Sequence, residues 1–227
     1  MKRIILLLGW LVGFGVFLAP GFAGEIQGRI SITRTLTKKR VNSPVYQLRG
    51  ISLPAVKEEP QTIDELSRTA VYLEGPLASL PVPVEVTLTQ KNKRFDPELL
   101  IVPVGSTVSF PNADPIFHNV FSLSKAAHFD LGFYPAGQTR TVKLDKAGIV
   151  QVYCHLHPNM TAAIVVVPNG RYAKPRPDGT FAFTGLDAGT YRVVVWHKSA
   201  GFFRAAIPVA ETGTATLSLT IPLAEGN

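Results

Sequence analysis

The chain has 227 residues, 46% of them hydrophobic, with 18 Pro and 19 Gly spread along its length; a disordered chain would be poorer in Val, Ile, Leu and Phe. Its 23 Lys and Arg against 16 Asp and Glu give a formal charge of +7, a mild excess that can steer an acidic protein partner. The basic clusters Lys38-Lys39-Arg40 and Lys91, Lys93, Arg94 have no nucleic-acid motif beside them and read as solvated loop charge.

The N-terminus reads as an export signal. Lys2 and Arg3 precede an apolar run from Ile4 to Ala19, and Gly21-Phe22-Ala23 supplies small residues for cleavage before Gly24. The run is short for a bilayer span, which takes ~20 residues; an uncleaved anchor is the alternative. Cleavage leaves a mature charge of +5, no membrane span and a periplasmic or otherwise exported protein. A single cysteine, Cys154, excludes an internal disulfide. A free thiol in an oxidising compartment is a liability unless metal ligation, catalysis or burial protects it.

In chain order, residues 25–32 alternate and predict a strand. Residues 35–66 read as a long polar loop with a short helix near Ile63 to Leu66. Ala70 to Leu73 predicts a strand, and Pro76 to Pro83 a linker. Val84, Val86 and Leu88 alternate with polar residues as on a half-buried strand. Further strands are predicted at Leu99–Val104, Thr107–Phe110, Asn119–Leu123, Thr139–Leu144, Ile149–Cys154 and Ala162–Val167. Beyond Pro168-Asn169-Gly170 the turn Pro177-Asp178-Gly179 precedes alternating Phe181 and Phe183, then Tyr191–Trp196 and the alternating run 214–221. The fold class is all-β. The expected segments are a signal at 1–23, an N-terminal β segment and loop at 24–80, a central sandwich at 81–168 and a smaller β unit at 169–227.

The chemistry is concentrated in Cys154-His155-Leu156-His157-Pro158-Asn159-Met160. A thiolate, an imidazole and a thioether project from one tight loop, and His118 offers a second imidazole. Two His, one Cys and a weak axial Met form the ligand set of a blue-copper electron-transfer site: the sulfurs suit Cu(I), and imidazole serves both oxidation states. Such a set leaves no open position for substrate, which argues against an enzyme. On the strand ending at Cys154, Val150 and Val152 mark the inward face, so the thiol points inward.

Residues 84–167 resemble the plastocyanin/azurin family of cupredoxins. The resemblance rests on Thr107–Phe110, Asn112 and His118-Asn119-Val120-Phe121, and on Gly148–Met160, whose Cys-x-x-His-x-x-Met spacing is nearest to that of amicyanin. It implies a Greek-key sandwich holding one copper through His118, Cys154, His157 and Met160. It also implies that Asn119 ties the ligand loops together and hydrogen-bonds the Cys154 sulfur, and that His157 is the electron port. Leu156 stands where these proteins often have Pro, so its N–H is free to donate a second bond to that sulfur. The stretch Phe181-x-Phe183-x-Gly185-Leu186-x-Ala188-Gly189-x-Tyr191 resembles a carboxypeptidase regulatory-like (transthyretin-like) sandwich. The region around Gly28 and Ala70–Leu73 would supply its first strands. The whole arrangement is similar to cupredoxin proteins of the methylamine-utilisation type.

The leading function is one-electron shuttling between redox protein partners, without nucleic acid. The alternatives are a copper module for storage, sensing or delivery, and an assembly subunit that uses the β-sandwich tail. His155 reads as a surface residue or a neighbour of the ligands, His128 as a solvent-facing loop residue, and Trp196 as core or a contact between units.

Overall fold

The computed structural model describes residues 23–37, 64–75 and 80–222. The expected signal run and the cluster Lys38-Lys39-Arg40 lie outside the described residues. Among the described residues no helix is long and apolar enough to cross a membrane.

Strand β1 (Gly24–Ile32) comes first, and a 3₁₀ turn (Leu66–Arg68) leads into β2 (Thr69–Glu74). The central unit holds β3 (Glu85–Thr87), β4 (Thr89–Lys91), β5 (Arg94–Asp96), β6 (Leu99–Pro103), β7 (Ser106–Pro111), β8 (His118–Ser124), β9 (Ala127–Tyr134), β10 (Thr139–Leu144), β11 (Gly148–Tyr153) and β12 (Thr161–Val167). The chain ends with β13 (Tyr172–Ala173), β14 (Thr180–Leu186), β15 (Gly189–His197), β16 (Gly201–Val209) and β17 (Thr214–Ile221).

These strands make four stacked layers. In the first sandwich the sheet β14-β1-β17 faces the sheet β13-β2-β15-β16. Ile26, Ile30, Phe181, Phe183 and Ile221 from one sheet bury against Val71, Leu73, Val193, Val195 and Ile207 from the other. In the second, the sheet β6-β12-β11-β8-β9 faces β10-β7-β3. Val102, Val120, Val150, Val152 and Ile164 there pack on Val108, Phe110 and Leu144. The β4–β5 hairpin closes one end of this second sandwich, with Leu88 and Phe95 in its core.

The two sandwiches also pack on each other. Ala70 and Tyr72 of β2 and Val194 and Trp196 of β15 bury against Leu99, Ala163, Val165 and Val167 of β6 and β12. The inner strands are therefore covered on both faces, which is why β2, β12 and β15 read as continuous apolar runs while β1 and β14 alternate. Arg68 and Lys198 of the first sandwich both reach Glu98 of the second, at 2.6 and 3.5 Å.

Three expectations change. Residues 127–134, expected as loop around His128, form β9, with His128 still exposed on it. Residues 201–209, assigned no element, form β16. The short helix is a 3₁₀ turn lying just after the expected position.

Candidate metal centre

Three chain segments converge at one end of the second sandwich. His118 opens β8 and is fully buried, and its loop is pinned by Asn112, whose Nδ2 donates to the Ile116 and Tyr134 carbonyls at 2.8 and 3.1 Å. Cys154 follows the last residue of β11 on the face that Val150 and Val152 bury, so strand parity aims its sulfur into the core. The chain then turns back, the Met160 N–H donating to the His157 carbonyl at 2.8 Å. Met160 is buried in the same apolar cluster as Cys154, directly before β12.

His118 Nδ1 and His157 Nδ1 lie 3.1 Å apart, and the Cys154 sulfur is 3.9 and 3.8 Å from them. Among the described residues this is the one group of three or more His, Cys, Asp or Glu side chains whose ligand atoms converge. The separations test what metal would fit. With usual bond lengths of ~2.0 Å to nitrogen and ~2.3 Å to sulfur, the three angles at the ion come to roughly 350–355° together. A tetrahedral ion would give roughly 330°, and a trigonal plane about 360°. The donors are therefore set for a nearly planar N₂S arrangement, the geometry of a blue-copper site with a long axial thioether, more than for tetrahedral zinc.

The ring nitrogens facing away from this triangle are also placed. His118 Nε2 lies 2.8 Å from Asp114 Oδ2, and both side chains are buried. Burial alone would raise the Asp114 carboxyl. The Lys93 N–H, the His118 ring and the Asn92 N–H outweigh it and hold the carboxyl below its ordinary range. His157 is half-buried, and desolvation, reinforced by the neighbouring His118 ring and the Lys93 charge, holds it below the ordinary imidazole value.

Three of the four expected ligands, His118, Cys154 and His157, thus converge, and Met160 is buried in the apolar cluster that holds Cys154. Asn119 behaves differently from the expectation. Its side chain donates to Asp130 Oδ1 at 2.6 Å and the Gly132 carbonyl at 3.2 Å, both on β9. Its side chain reaches the ligand loop through Asp130, whose other oxygen lies 3.6 Å from His155 Nε2. His155 in turn stacks on Phe121, ring centroids 3.9 Å apart. Leu156 is half exposed at the surface of the loop. Asp114 was missed in the sequence, where its one trace is a carboxylate four residues before a candidate ligand.

This donor set sits in an all-β two-sheet fold. The central unit is cupredoxin-like. Solved structures similar to it include the purple cupredoxin of Nitrosopumilus maritimus, 22% identical over 37% of this chain and 99% of that one, with a TM-score of 0.33. A reduced amicyanin variant is 22% identical over 42% of this chain and 99% of that one, with a TM-score of 0.34. The Cu-containing nitrite reductase of Thermus scotoductus is 27% identical, covering 41% of this chain and only 24% of that one, with a TM-score of 0.35. No family model matches the chain, and neither does any curated protein. The cupredoxin-like reading stands on this chain's own strand order and donor triangle.

Proposed function

We propose that this protein is an exported carrier of single electrons that holds one copper ion through His118, Cys154, His157 and Met160. The observation that carries the reading is the near-planar triangle of two Nδ1 atoms and one sulfur, with a buried methionine beside it. Copper supplies a one-electron couple between Cu(II) and Cu(I). The protein's part is to keep the donors in one arrangement for both states. Strands β8, β11 and β12 fix three of the four ligand positions, so little has to move when the charge changes.

His157 is the ligand nearest solvent, and exposed Phe117 and Leu156 lie on the two ligand loops. An electron would enter or leave there, toward a redox protein partner. With every donor position filled by a side chain, no place is left for a substrate, and the reading is of a carrier and not an enzyme.

Adding one equivalent of Cu(II) to the mature protein and recording visible absorption and EPR tests this. An intense thiolate-to-copper band with small hyperfine splitting, together with reversible voltammetry, supports the carrier. A pale, normal copper spectrum overturns the site. A blue spectrum with readily lost Cu(I) would give the storage or delivery reading the lead.

A further inference from the structure

We propose that Asp114 is a positioning residue that holds His118 in the tautomer with a free Nδ1 and thereby biases the centre toward Cu(II); this rests on the copper reading above.

The support for Asp114 is built from a distant part of the chain. Strands β4 and β5 are joined by Asn92 and Lys93, both with positive φ, +54° and +56°. This is the two-residue hairpin turn that a right-handed twist favours, but a lysine in that region is strained. The turn directs two consecutive N–H groups at one carboxylate: Asn92 N–H to Oδ1 at 2.6 Å and Lys93 N–H to Oδ2 at 2.8 Å. The Asp114 N–H is itself held by Asn112 Oδ1 at 3.0 Å. Asp114 is 6% exposed, so this is a buried anion fixed on three sides.

The fourth contact is His118 Nε2, on the same Oδ2 that takes the Lys93 N–H. An ionised carboxylate only accepts hydrogen bonds, so Nε2 carries a proton, and in the neutral ring Nδ1 then presents its lone pair toward Cys154 and His157. A carboxylate behind a ligating imidazole fixes its tautomer and orientation and makes it a stronger donor. Extra donation and a nearby negative charge favour the higher-charged metal state. The simpler alternative is that Asp114 only staples the β4–β5 hairpin. In that case its loss would lower stability and leave the ring untouched.

The first measurement is on the metal-free native protein: long-range ¹H–¹⁵N correlation of the His118 ring. In the neutral ring a proton on Nε2 is expected; a neutral ring protonated on Nδ1 overturns the proposal whatever metal the site takes. The second is Asp114→Asn, with Asn92→Gly as a control that relaxes the turn and leaves both the carboxylate and the backbone N–H that it accepts from. Asp114→Asn should admit the other tautomer and weaken Cu(II) binding by about ten- to a hundredfold. Each tenfold loss not matched by Cu(I) raises the potential by about 59 mV. Asn92→Gly, which removes no charge, should leave both unchanged. If folded Asp114→Asn keeps the native tautomer and the native Cu(II)-to-Cu(I) affinity ratio, the proposal fails. If the variant does not fold, the native-ring measurement still decides it. A native protein that forms no blue centre would defeat the copper reading, while the tautomer result would still stand or fall by itself.

Discussion

Lys198 Nζ, on the turn after β15, lies 3.1 Å from the carbonyl of Thr161, the residue that follows Met160. The same ammonium group is 3.5 Å from Glu98, which also takes Arg68 at 2.6 Å. The first sandwich thus grips the second beside the loop of candidate ligands with charge, and along β2, β15, β6 and β12 with apolar surface.

That double contact predicts one cooperative unfolding transition for both sandwiches. Trp196, 4% exposed at the centre of the seam, contributes much of it. Trp196→Ala should cost about 3–5 kcal/mol and separate the thermal transition into two. Glu98→Ala, which leaves two partly buried cations without their shared partner, should cost about 1–2 kcal/mol. Denaturant titrations followed by circular dichroism read both. A Trp196→Ala protein that melts in a single transition at the native temperature would show that the seam does not depend on Trp196, and two transitions in the native protein would show that the sandwiches do not depend on each other.

Met160 is 1% exposed, in the same buried cluster as Cys154. Met160→Leu conserves volume closely, so the fold should lose less than about 1.5 kcal/mol. The thioether, though, is gone. The copper protein should stay blue, because the N₂S triangle is intact, and its potential should rise, because a weak axial donor to Cu(II) has been removed. Voltammetry checks the direction, and a fall would mean that Met160 does not act as the axial donor.

Leu156 keeps a backbone N–H at a position next to the sulfur ligand's own loop turn. If that N–H donates to the thiolate, it weakens sulfur donation to Cu(II) more than to Cu(I), and the potential is higher. Leu156→Pro deletes the donor. The folded, blue variant should show a lower potential; an unchanged one removes this N–H from the account.

His197 is fully buried, with Nδ1 accepting from the Ser199 and Ala200 N–H groups at 3.2 Å each. Nε2 therefore carries the proton and lies 3.0 Å from Glu65 Oε2, though not in line with it. Desolvation holds His197 below its ordinary value of 6.5 despite that carboxylate. The unfolded chain then takes up a proton at higher pH than the folded one. The stability due to a neutral His197 is complete above 6.5 and declines as pH falls toward the lower folded value. His197→Asn, whose amide oxygen can replace Nδ1, should flatten the fall in melting temperature between neutral and mildly acid pH. Equal slopes for the two proteins would exclude His197 as the source.

Much of the metal centre was legible because it is local. Cys154, His157 and Met160 occupy one loop, and strand parity from Val150 and Val152 fixes where the sulfur points. His118 was found by residue type and by the resemblance of the stretch around it. Asp114 was not found, because its meaning depends on the Asn92 and Lys93 N–H groups some twenty residues away, which no spacing rule connects to it. The Asn119 side chain was misplaced for a related reason: its partner Asp130 lies on β9, which the sequence showed only as a loop. Strand β16 escaped because it is a sheet edge, where small residues, Arg204 and Pro208 are tolerated without a clean alternation.

By itself the sequence determined an all-β chain, the inward-facing thiol and the identities of four candidate ligands, since periodicity and donor chemistry are properties of neighbouring residues. Tertiary structure alone decided that β1 lies between β14 and β17, that the two sandwiches share a seam, and that a strained hairpin turn holds a carboxylate behind His118. Those relations join residues far apart in the chain. They exist only because burying the second face of β2, β12 and β15 brings the two sandwiches together, and because the backbone N–H groups of one loop must find partners on another.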